Sequence, residues 1–386
     1  MRLHLRESLL YLLTRLLACG DRRARTTTDY RPETVQRILL VSSTALGDTV
    51  LSTAAMVALR QRFPAAHITA LIHRDYVPLF EAADYLDEVV AYHGGYRRFW
   101  RTLIALRRRQ PQIALILHGN EPQATPLAYL AGARFIFKLP NTSRFAFLLS
   151  NPVPRLTWTD MGHGMMQRLK VAELAGASIE GARMALPLST VARDQVAGFL
   201  AVQKVGAGDT VIGLQAGASS AGRMWPVTHF VALARQLLAV HPAMSFVITG
   251  AAHERDRCET IANSIANSIA KNMSPAMNGK ALVAAGALAI ETLPALVHRC
   301  AVLVTGDTGT LHVAVAVGTP TVSLFAVSSP DVSGPAYDLD RHRVIHHPAP
   351  AGVRSKTDND RWMAQIPSGE VAAAVLQQLA RFNHAT

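Results

Sequence analysis

From Gln36 onward, short apolar runs alternate with segments whose apolar residues recur at helical spacing. The run from Arg37 to Val41 precedes several small residues, which predicts a buried strand, a turn and a helix from Asp48 to Phe63. Further strands are predicted at 68–72, 88–90, 113–117 and 135–137, and helices at 96–109, 126–130 and 165–174. Strands and helices in alternation predict a parallel sheet with helices on both faces.

A second series of the same kind begins at Thr210. Strands are predicted at 210–214, 246–249, 301–305 and 321–325, and helices at 226–240, 254–271, 312–317 and 370–381. The polar segment 189–209 is predicted to be a linker, and 347–365 to be loop. We therefore expect an extension (1–35), two α/β domains (36–190 and 205–346) and a closing segment (347–386) that packs back on the body.

The first 20 residues predict a basic amphipathic helix. Its apolar stripe contains Leu9, Leu10, Leu13, Leu16 and Leu17, and Arg2, Arg6, Arg15 and Arg22 lie at the edges of that stripe. Glu7 and Arg15 interrupt the run, which is therefore neither a secretory signal nor a bilayer span. Two interpretations remain open: a helix on an anionic membrane surface, or a helix packed against its own domain.

Composition narrows the class of protein. The chain has 386 residues, of which 49% are hydrophobic and 17% charged, so it can bury a large core. A net charge of +12 favours polyanions: nucleic acid, an anionic membrane or phosphorylated substrates. No nucleic-acid recognition motif is present, so no nucleic-acid partner is expected. Three cysteines without metal-ligand spacing suggest a reducing compartment.

Small residues fill the turn between the first predicted strand and its helix. The segment Ser42-Ser43-Thr44-Ala45-Leu46-Gly47-Asp48 contains neither GxGxxG nor GxxxxGK[ST], so it has neither the dinucleotide nor the P-loop signature. Small side chains let a ligand approach the backbone closely. Asp48 is either a functional carboxylate or a negative side chain that only stabilises the start of the helix.

Two later segments suit phosphate binding. Loop 217–226 opens a helix and carries Arg223, so backbone N–H groups and a guanidinium can hold a phosphate. Segment 306–312 also joins a strand to a helix and contains Asp307, Thr308 and Gly309, with His312 one turn later. The alternatives are a solvated surface loop for the first segment and a structural role for His312.

Glu254 follows the strand predicted at 246–249, where an acidic side chain can bond ribose hydroxyls. Favourable charge in the first turn of a helix explains the same residue equally well. Taken together, these residues suit the transfer of a group from a nucleotide donor to a hydroxyl, with Asp48 as general base.

The order and spacing of these motifs resemble glycosyltransferase family 9, the bacterial ADP-heptose:lipopolysaccharide heptosyltransferases. The resemblance covers about 36–346 and the final helix. It is carried by segments 38–43, 47–48, 60–64, 217–219, 225–226, 307–309, His312, 318–320, 329–330, 334–335, 366–368 and 370–371. It implies a GT-B fold, with two facing Rossmann-like domains and an interdomain active-site cleft, and an inverting transfer that needs no metal or other cofactor.

Carried over by position, the resemblance implies that Asp48 is the catalytic base and Glu254 the ribose-binding acid. The other donor-binding residues it implies are Ser219, Arg223, Asp307, Thr308, Gly309 and His312. The family commonly has Lys two residues before Trp-Pro, where this chain has Arg223, and an arginine's planar fork is not equivalent to an ammonium.

On the acceptor side, Arg60, Arg62 and Asn120 are candidates to contact phosphorylated core sugars, although a solvated helix end also explains the two arginines. The implied partners are a nucleotide-sugar donor, a lipid-linked oligosaccharide acceptor and the anionic inner-membrane surface. The implied location is the cytoplasm, at the cytoplasmic face of that membrane. A transferase with another nucleotide sugar or acceptor, or an inactive binding protein of the same fold, remains an alternative.

Overall fold

The computed structural model describes residues 2–21, 26–119, 121–272, 280–350, 352–353 and 360–382. The chain divides into two compact units, Met1–Ala185 (unit 1) and Leu186–Thr386 (unit 2). Each unit contains one sheet, and every strand pairing in both sheets is parallel. The predicted α/β class is confirmed.

Unit 1 has five strands and five helices among its described residues. The strands are β1 (Arg37–Ser42), β2 (His67–His73), β3 (Glu88–Tyr92), β4 (Ile113–His118) and β5 (Phe135–Lys138). The helices are α1 (Arg2–Gly20), α2 (Leu46–Arg62), α3 (Phe99–Arg108), α4 (Ala124–Leu130) and α5 (Gly164–Leu174). Every residue of β4 is buried, because a parallel strand is covered on both faces.

The strand order of this sheet is β3-β2-β1-β4-β5. The chain builds outward from β1 to β3 and then returns to place β4 on the other side of β1. The segments that follow β1 and β4 therefore diverge at one point of the carboxyl edge, where open α/β sheets bind ligands. Asp48 and His118 both lie there.

Unit 2 repeats this plan with six strands. They are β6 (Val211–Gln215), β7 (Ser245–Thr249), β8 (Ala281–Val283), β9 (Val302–Gly306), β10 (Thr321–Phe325) and β11 (His342–His346), in the order β11-β10-β9-β6-β7-β8. The helices are α6 (Thr190–Val202), α7 (Val227–Val240), α8 (Arg255–Asn272), α9 (Leu293–Arg299), α10 (Gly309–Val317), α11 (Pro330–Ser333) and α12 (Ser368–Phe382). Here the connections diverge between β6 and β9, so the loop after β6 and the turn after β9 meet at the carboxyl edge.

The segment predicted to be a linker is instead largely helical. Ser189 caps α6 by accepting a hydrogen bond from the backbone N–H of Ala192 at 3.1 Å. Ala192, Val196 and Leu200 recur every four residues and are buried in the core of unit 2. The polar residues Arg193, Asp194 and Gln195, between the first two of these, face solvent, so a polar run concealed an amphipathic helix. β8, α9 and β11 were not predicted either.

The closing helix α12 belongs to unit 2. Val371, Val375 and Leu379 form its apolar stripe and lie in the same buried cluster as Trp225. The Trp225 indole N–H donates to the Ile366 carbonyl at 3.1 Å. A buried side chain of this kind contributes about 1.5–3 kcal/mol, so the stripe and the anchored indole both hold α12 on the body.

Helix α1 belongs to unit 1, but most of its predicted leucine stripe does not pack against the body. Of the five stripe leucines, Leu10 alone is buried. Thr14 is buried beside it, and its hydroxyl donates to the Leu10 carbonyl at 2.8 Å. Among the described helices, none is long and apolar enough to cross a bilayer.

Candidate functional site

Asp48 lies in the first turn of α2, at the carboxyl edge of the unit 1 sheet. Its Oδ1 accepts a hydrogen bond from the Arg168 guanidinium at 2.8 Å, and its Oδ2 accepts one from the Thr44 hydroxyl at 3.2 Å. His118, at the end of β4, places Nε2 3.5 Å from Oδ1 and Nδ1 2.6 Å from the Thr44 oxygen. We call these four residues the Asp48 cluster.

Arg168 supplies a fixed positive charge to this cluster. Its side chain is only 3% exposed, whereas that of Asp48 is 31% exposed. The guanidinium also donates to the Gly164 carbonyl at 2.7 Å and to the Gln167 side chain at 3.2 Å. Burial lowers the pKa of Arg168 from its ordinary value, and Asp48 opposes this shift. The carboxylate is thus oriented from below by a cation and open to solvent on its other side.

Two further basic groups affect the electrostatics here: His118, beside the carboxylate, and Lys138, whose charge acts on His118. Burial, with the charge of Arg168 adding to it, lowers the pKa of His118 to about 4, so the ring is neutral at neutral pH. Burial also lowers the pKa of Lys138 to about 8. The Lys138 ammonium donates to the Gly119 carbonyl at 3.2 Å. Near neutral pH, the Asp48 cluster therefore combines an oriented carboxylate with the Arg168 cation and a neutral imidazole, and the Lys138 ammonium adds a positive charge near His118.

In unit 2, Glu254 lies against the loop that follows β6. A Cβ atom at Gly217 would be 2.0 Å from the Glu254 carboxyl group, so only glycine permits this close approach. Glu254 Oε2 accepts a hydrogen bond from the backbone N–H of Ala251 at 2.7 Å. The carboxylate is therefore held at the carboxyl edge of β6 and β7, which is the position predicted for a ribose contact.

Arg223 crosses from the same loop to the turn after β9. Its guanidinium lies 3.3 Å from Asp307 Oδ2, and the Asp307 side chain is only 8% exposed. The Arg223 carbonyl approaches Gly306 so closely that a Cβ there would lie 2.9 Å away. Thr308 occupies the N-cap position of α10 without a side-chain capping hydrogen bond, and its hydroxyl is 3.0 Å from that of Thr305. The structure thus brings the two predicted phosphate-binding segments together.

Buried polar contacts brace these loops from below. Gln215 Oε1 accepts hydrogen bonds from the Thr249 hydroxyl at 2.8 Å and from the Thr310 hydroxyl at 2.9 Å. Arg257 donates to the Ala216 carbonyl at 2.9 Å and to the Trp225 carbonyl at 2.6 Å. Arg257 therefore holds both ends of the loop that carries Arg223. Its position in α8 gave no sequence signal for this role.

The remaining predicted residues fall in several environments. Ser219 is exposed on the loop, Gly309 begins α10, and His312 is buried within α10. Asn120 lies outside the described residues. Among the residues that are described, no group of three or more His, Cys, Asp or Glu side chains is arranged to hold a metal ion.

Arg60 and Arg62 are not brought to the Asp48 cluster. They lie in the last turn of α2, whereas Asp48 is in its first turn, about 18–21 Å away at the rise of an α-helix. Arg60 pairs with Asp87 and donates to the Ala66 carbonyl at 2.8 Å. Arg62 lies 3.5 Å from Glu33. Both arginines tie α2 to the amino edge of the sheet.

A sequence model described as "Glycosyltransferase family 9 (heptosyltransferase)" matches residues 170–362, which is half of the chain. The chain belongs to glycosyltransferase family 9. It is also 30% identical over 116 residues to lipopolysaccharide heptosyltransferase 2 of Salmonella typhimurium. That alignment covers 29% of this chain and 30% of the relative, so it spans less than a third of either protein.

Two solved structures show the fold of this family-9 chain. A family-9 glycosyl transferase from Veillonella parvula is 22% identical, with a TM-score of 0.72, and the alignment covers 90% of this chain and 97% of that one. The ADP-heptose LPS heptosyltransferase II of E. coli is 21% identical, with a TM-score of 0.72 and coverage of 90% and 99%. The expected GT-B fold is confirmed.

The family-9 sequence match begins at residue 170, so the Asp48 cluster lies outside it. Arg168 and Lys138 were missed by sequence reasoning. A signal for Arg168 did exist. It lies three residues after Met165 and four before Ala172, so helical spacing places it on the same buried stripe of α5. An arginine on an apolar stripe requires a buried partner, although its position alone does not reveal which carboxylate that is.

Proposed function

We propose that this protein is an inverting glycosyltransferase that moves a heptose from ADP-heptose to a hydroxyl of the lipopolysaccharide inner core, with Asp48 as general base. The observation that supports this most directly is the Asp48 carboxylate, held by buried Arg168 and open to solvent at the carboxyl edge of its sheet. Family membership supports the class of reaction, and the names of the Salmonella typhimurium and E. coli relatives support the sugar and the acceptor.

Unit 1 is proposed to activate the acceptor. The acceptor hydroxyl gives its proton to Asp48, and its oxygen forms a bond to the anomeric carbon of the donor as the bond from that carbon to the ADP oxygen breaks. Arg168 and Thr44 keep the carboxylate oriented. The base is therefore already positioned for proton transfer before the acceptor binds. Lys138 supplies a positive charge for acceptor phosphates.

Unit 2 is proposed to hold the donor. Glu254 bonds the ribose hydroxyls, while Ser219, Thr308, Gly309 and the amino-terminal end of α10 face the diphosphate. His312 completes the predicted donor segment from within α10. Arg223 stabilises the negative charge that develops on departing ADP, and its pairing with Asp307 at 3.3 Å orients it for that role. We propose that no metal ion or other cofactor takes part.

The acceptor is proposed to be lipid-linked, which places the reaction at the cytoplasmic face of the inner membrane. A second candidate is a family-9 transferase with a different nucleotide sugar or glycan acceptor. The specific observation in its favour is Arg223, which stands where the resembling family commonly has Lys. A planar guanidinium and a point-like ammonium present different hydrogen-bond geometry to a diphosphate.

The decisive experiment measures sugar transfer from ADP-heptose to a heptose-deficient lipid A–Kdo acceptor. Asp48→Asn is expected to lower kcat by about 10²- to 10⁴-fold, the usual contribution of a general base. Donor binding by the variant should persist, because the donor residues belong to unit 2. Asp75→Asn is the matched control, since Asp75 is an exposed carboxylate at the start of another helical turn.

Absence of transfer by the wild-type protein to every truncated core acceptor would refute the proposed reaction. Full activity of Asp48→Asn would refute the proposed base while leaving the reaction class intact. The second candidate predicts a different result: ADP-heptose would fail to raise the Tm, and another nucleotide sugar would raise it.

A further inference from the structure

Helix α1 has apolar residues on two opposite faces. On one face, Thr14 is buried and Tyr11 contacts Phe145 and Phe147 edge-on, with ring centroids 5.8 and 5.4 Å apart. The other face exposes six leucines: Leu5 (63%), Leu9 (57%), Leu12 (57%), Leu13 (39%), Leu16 (74%) and Leu17 (45%). At 3.6 residues per turn these six occupy an arc of about 140°. We call them the leucine face.

The leucine face is unusual for a water-exposed surface. Among the described residues, fifteen large apolar side chains are exposed, and six of them are these leucines. Single exposed apolar residues are ordinary, whereas a contiguous apolar patch marks a site of interaction. Its interior-facing neighbours already anchor the helix, so the leucine face is not needed to hold α1 on unit 1.

Helix α3 adds to the same side of unit 1. Both α1 and α3 pack against α4, and Leu10 lies in one buried cluster with Phe99 of α3. Trp100 and Ile104, one turn apart on α3, are 62% and 53% exposed. Tryptophan is enriched where proteins meet the boundary between lipid headgroups and acyl chains.

Exposed arginines accompany these apolar residues. Arg97, Arg98 and Arg101 are exposed next to Trp100, and Arg6 is exposed on α1. The acidic residue of α1, Glu7, lies 4.0 Å from the Arg144 guanidinium. The sequence continues after α1 with Arg22, Arg23 and Arg25. An apolar face flanked by cations is complementary to an anionic bilayer, whose phosphates attract the arginines.

We propose that the leucine face, with Trp100 and Ile104, is a docking surface for an anionic lipid bilayer. The leucines and the indole enter the boundary between headgroups and acyl chains, and the arginines contact lipid phosphates. The surface stands on its own contacts; its role in bringing the enzyme to a lipid-linked acceptor rests on the proposed function.

The direction of α1 makes this docking useful to the proposed site. Glu7, near its start, lies beside Arg144, which follows β5, and Asp21, past its end, accepts a hydrogen bond from the Tyr129 hydroxyl at the end of α4. The first turns of α1 therefore lie at the carboxyl edge of the sheet. Asp48 lies at that same edge, so the docked helix begins at the edge of the sheet that carries the acceptor-activating cluster.

The test measures partition of the full chain onto vesicles of phosphatidylethanolamine and phosphatidylglycerol by flotation. The variant Leu9→Gln/Leu13→Gln/Leu16→Gln is expected to bind about 100-fold more weakly, because three apolar side chains no longer leave water. Val191→Gln/Val202→Gln is the matched control, since both valines are exposed on unit 2, at 65% and 80%. The control should bind as the wild type does.

A second pair of variants isolates charge. Arg97→Gln/Arg101→Gln should weaken binding about 30-fold on these vesicles, at about 1 kcal/mol per arginine, and should leave the weak binding to neutral vesicles unchanged. Arg193→Gln/Arg235→Gln removes two exposed arginines of unit 2 and serves as the control. An equal loss in both arginine pairs would show attraction by net charge alone and would overturn the assigned surface.

Unchanged vesicle binding by the triple leucine variant would also overturn the proposal. Light scattering gives a further outcome that overturns the proposal. If the wild type is a dimer, the leucine variant is a monomer and neither binds vesicles, the leucine face serves self-association instead. Turnover on a water-soluble truncated acceptor separates the two proposals. If the wild type turns over this acceptor but does not bind vesicles, only the docking proposal is refuted. If it binds vesicles but does not turn over the acceptor, only the proposed function is refuted.

Discussion

Replacing Asp48 by asparagine is expected to destabilise unit 1 by about 2–3 kcal/mol, because it leaves a buried guanidinium without its anion. Arg168 is 3% exposed and lies 2.8 Å from Asp48 Oδ1. Its other hydrogen bonds go to the Gly164 carbonyl and the Gln167 amide, which carry no charge. The stability test is independent of any substrate.

The magnitude follows from the geometry of the pair. Two unit charges about 4 Å apart attract by about 4 kcal/mol at an effective dielectric constant of 20. Asp48 is 31% exposed, so water screens one partner, and we halve the figure to a coupling of about 2 kcal/mol. Arg168→Met should cost less than Asp48→Asn, because the carboxylate left behind can be hydrated.

Hydrogen exchange with peptide-level resolution separates unit 1 from unit 2. Amides of β1 and β4 are expected to exchange about 30- to 160-fold faster in Asp48→Asn, which corresponds to the loss of about 2–3 kcal/mol. Amides of β6 and β9 belong to unit 2 and provide an internal reference. Asp75→Asn, at an exposed carboxylate, should leave both sets of amides unchanged.

The double variant Asp48→Asn/Arg168→Met completes the thermodynamic cycle. In the Arg168→Met background, Asp48→Asn should cost about 2 kcal/mol less than in the wild type. A coupling below about 0.5 kcal/mol would refute the reasoning, because the cation would then have no energetic role in holding the carboxylate.

Two further predictions concern unit 2. Gly217→Ala should lower ADP affinity, measured by calorimetry, about tenfold or more, because the new Cβ would lie 2.0 Å from the Glu254 carboxyl group and would displace it. Gly208→Ala is the control, since a Cβ there meets open space, and it should bind ADP normally. Equal ADP affinities of the two variants would refute a role for Glu254 in the donor site. Burial lowers the pKa of His342 to about 4, so its contribution, up to about 3 kcal/mol, is complete above about pH 6.5 and is lost as the pH falls toward 4. His342→Gln should flatten the dependence of Tm on pH across that interval, and an unchanged slope would contradict this account.

The strands that sequence reasoning located share one property: they are continuous apolar runs. β1, β4, β9 and β10 are covered on both faces, so nearly every position must be apolar, and a short window suffices to find them. β11, with the sequence HRVIH, lies at the edge of its sheet and is partly exposed. Its polar residues gave no such signal.

Helices were harder to predict where a buried apolar face and an exposed polar face are averaged over one segment of sequence. The buried residues of α6 recur at every fourth position, but the polar run Arg193-Asp194-Gln195 lies between the first two of them, so the segment was predicted to be a polar linker. α1 shows the reverse case. Its leucine stripe was predicted correctly, but the helix packs on unit 1 mainly through Tyr11 and Thr14, on its other face. Periodicity reports that a helix has a face, not which partner covers it.

The sequence by itself determined the class of fold, the strand–turn–helix position of Asp48 and the motifs that carry Arg223, Glu254 and Asp307. Those features depend on residues within a few positions of one another, and local spacing encodes them. Tertiary structure alone decided that Arg168 reaches Asp48 from 120 residues away and that Arg60 faces the opposite edge of the sheet. Strand order made those decisions, because it sets which chain segments share an edge, and no local pattern records that order.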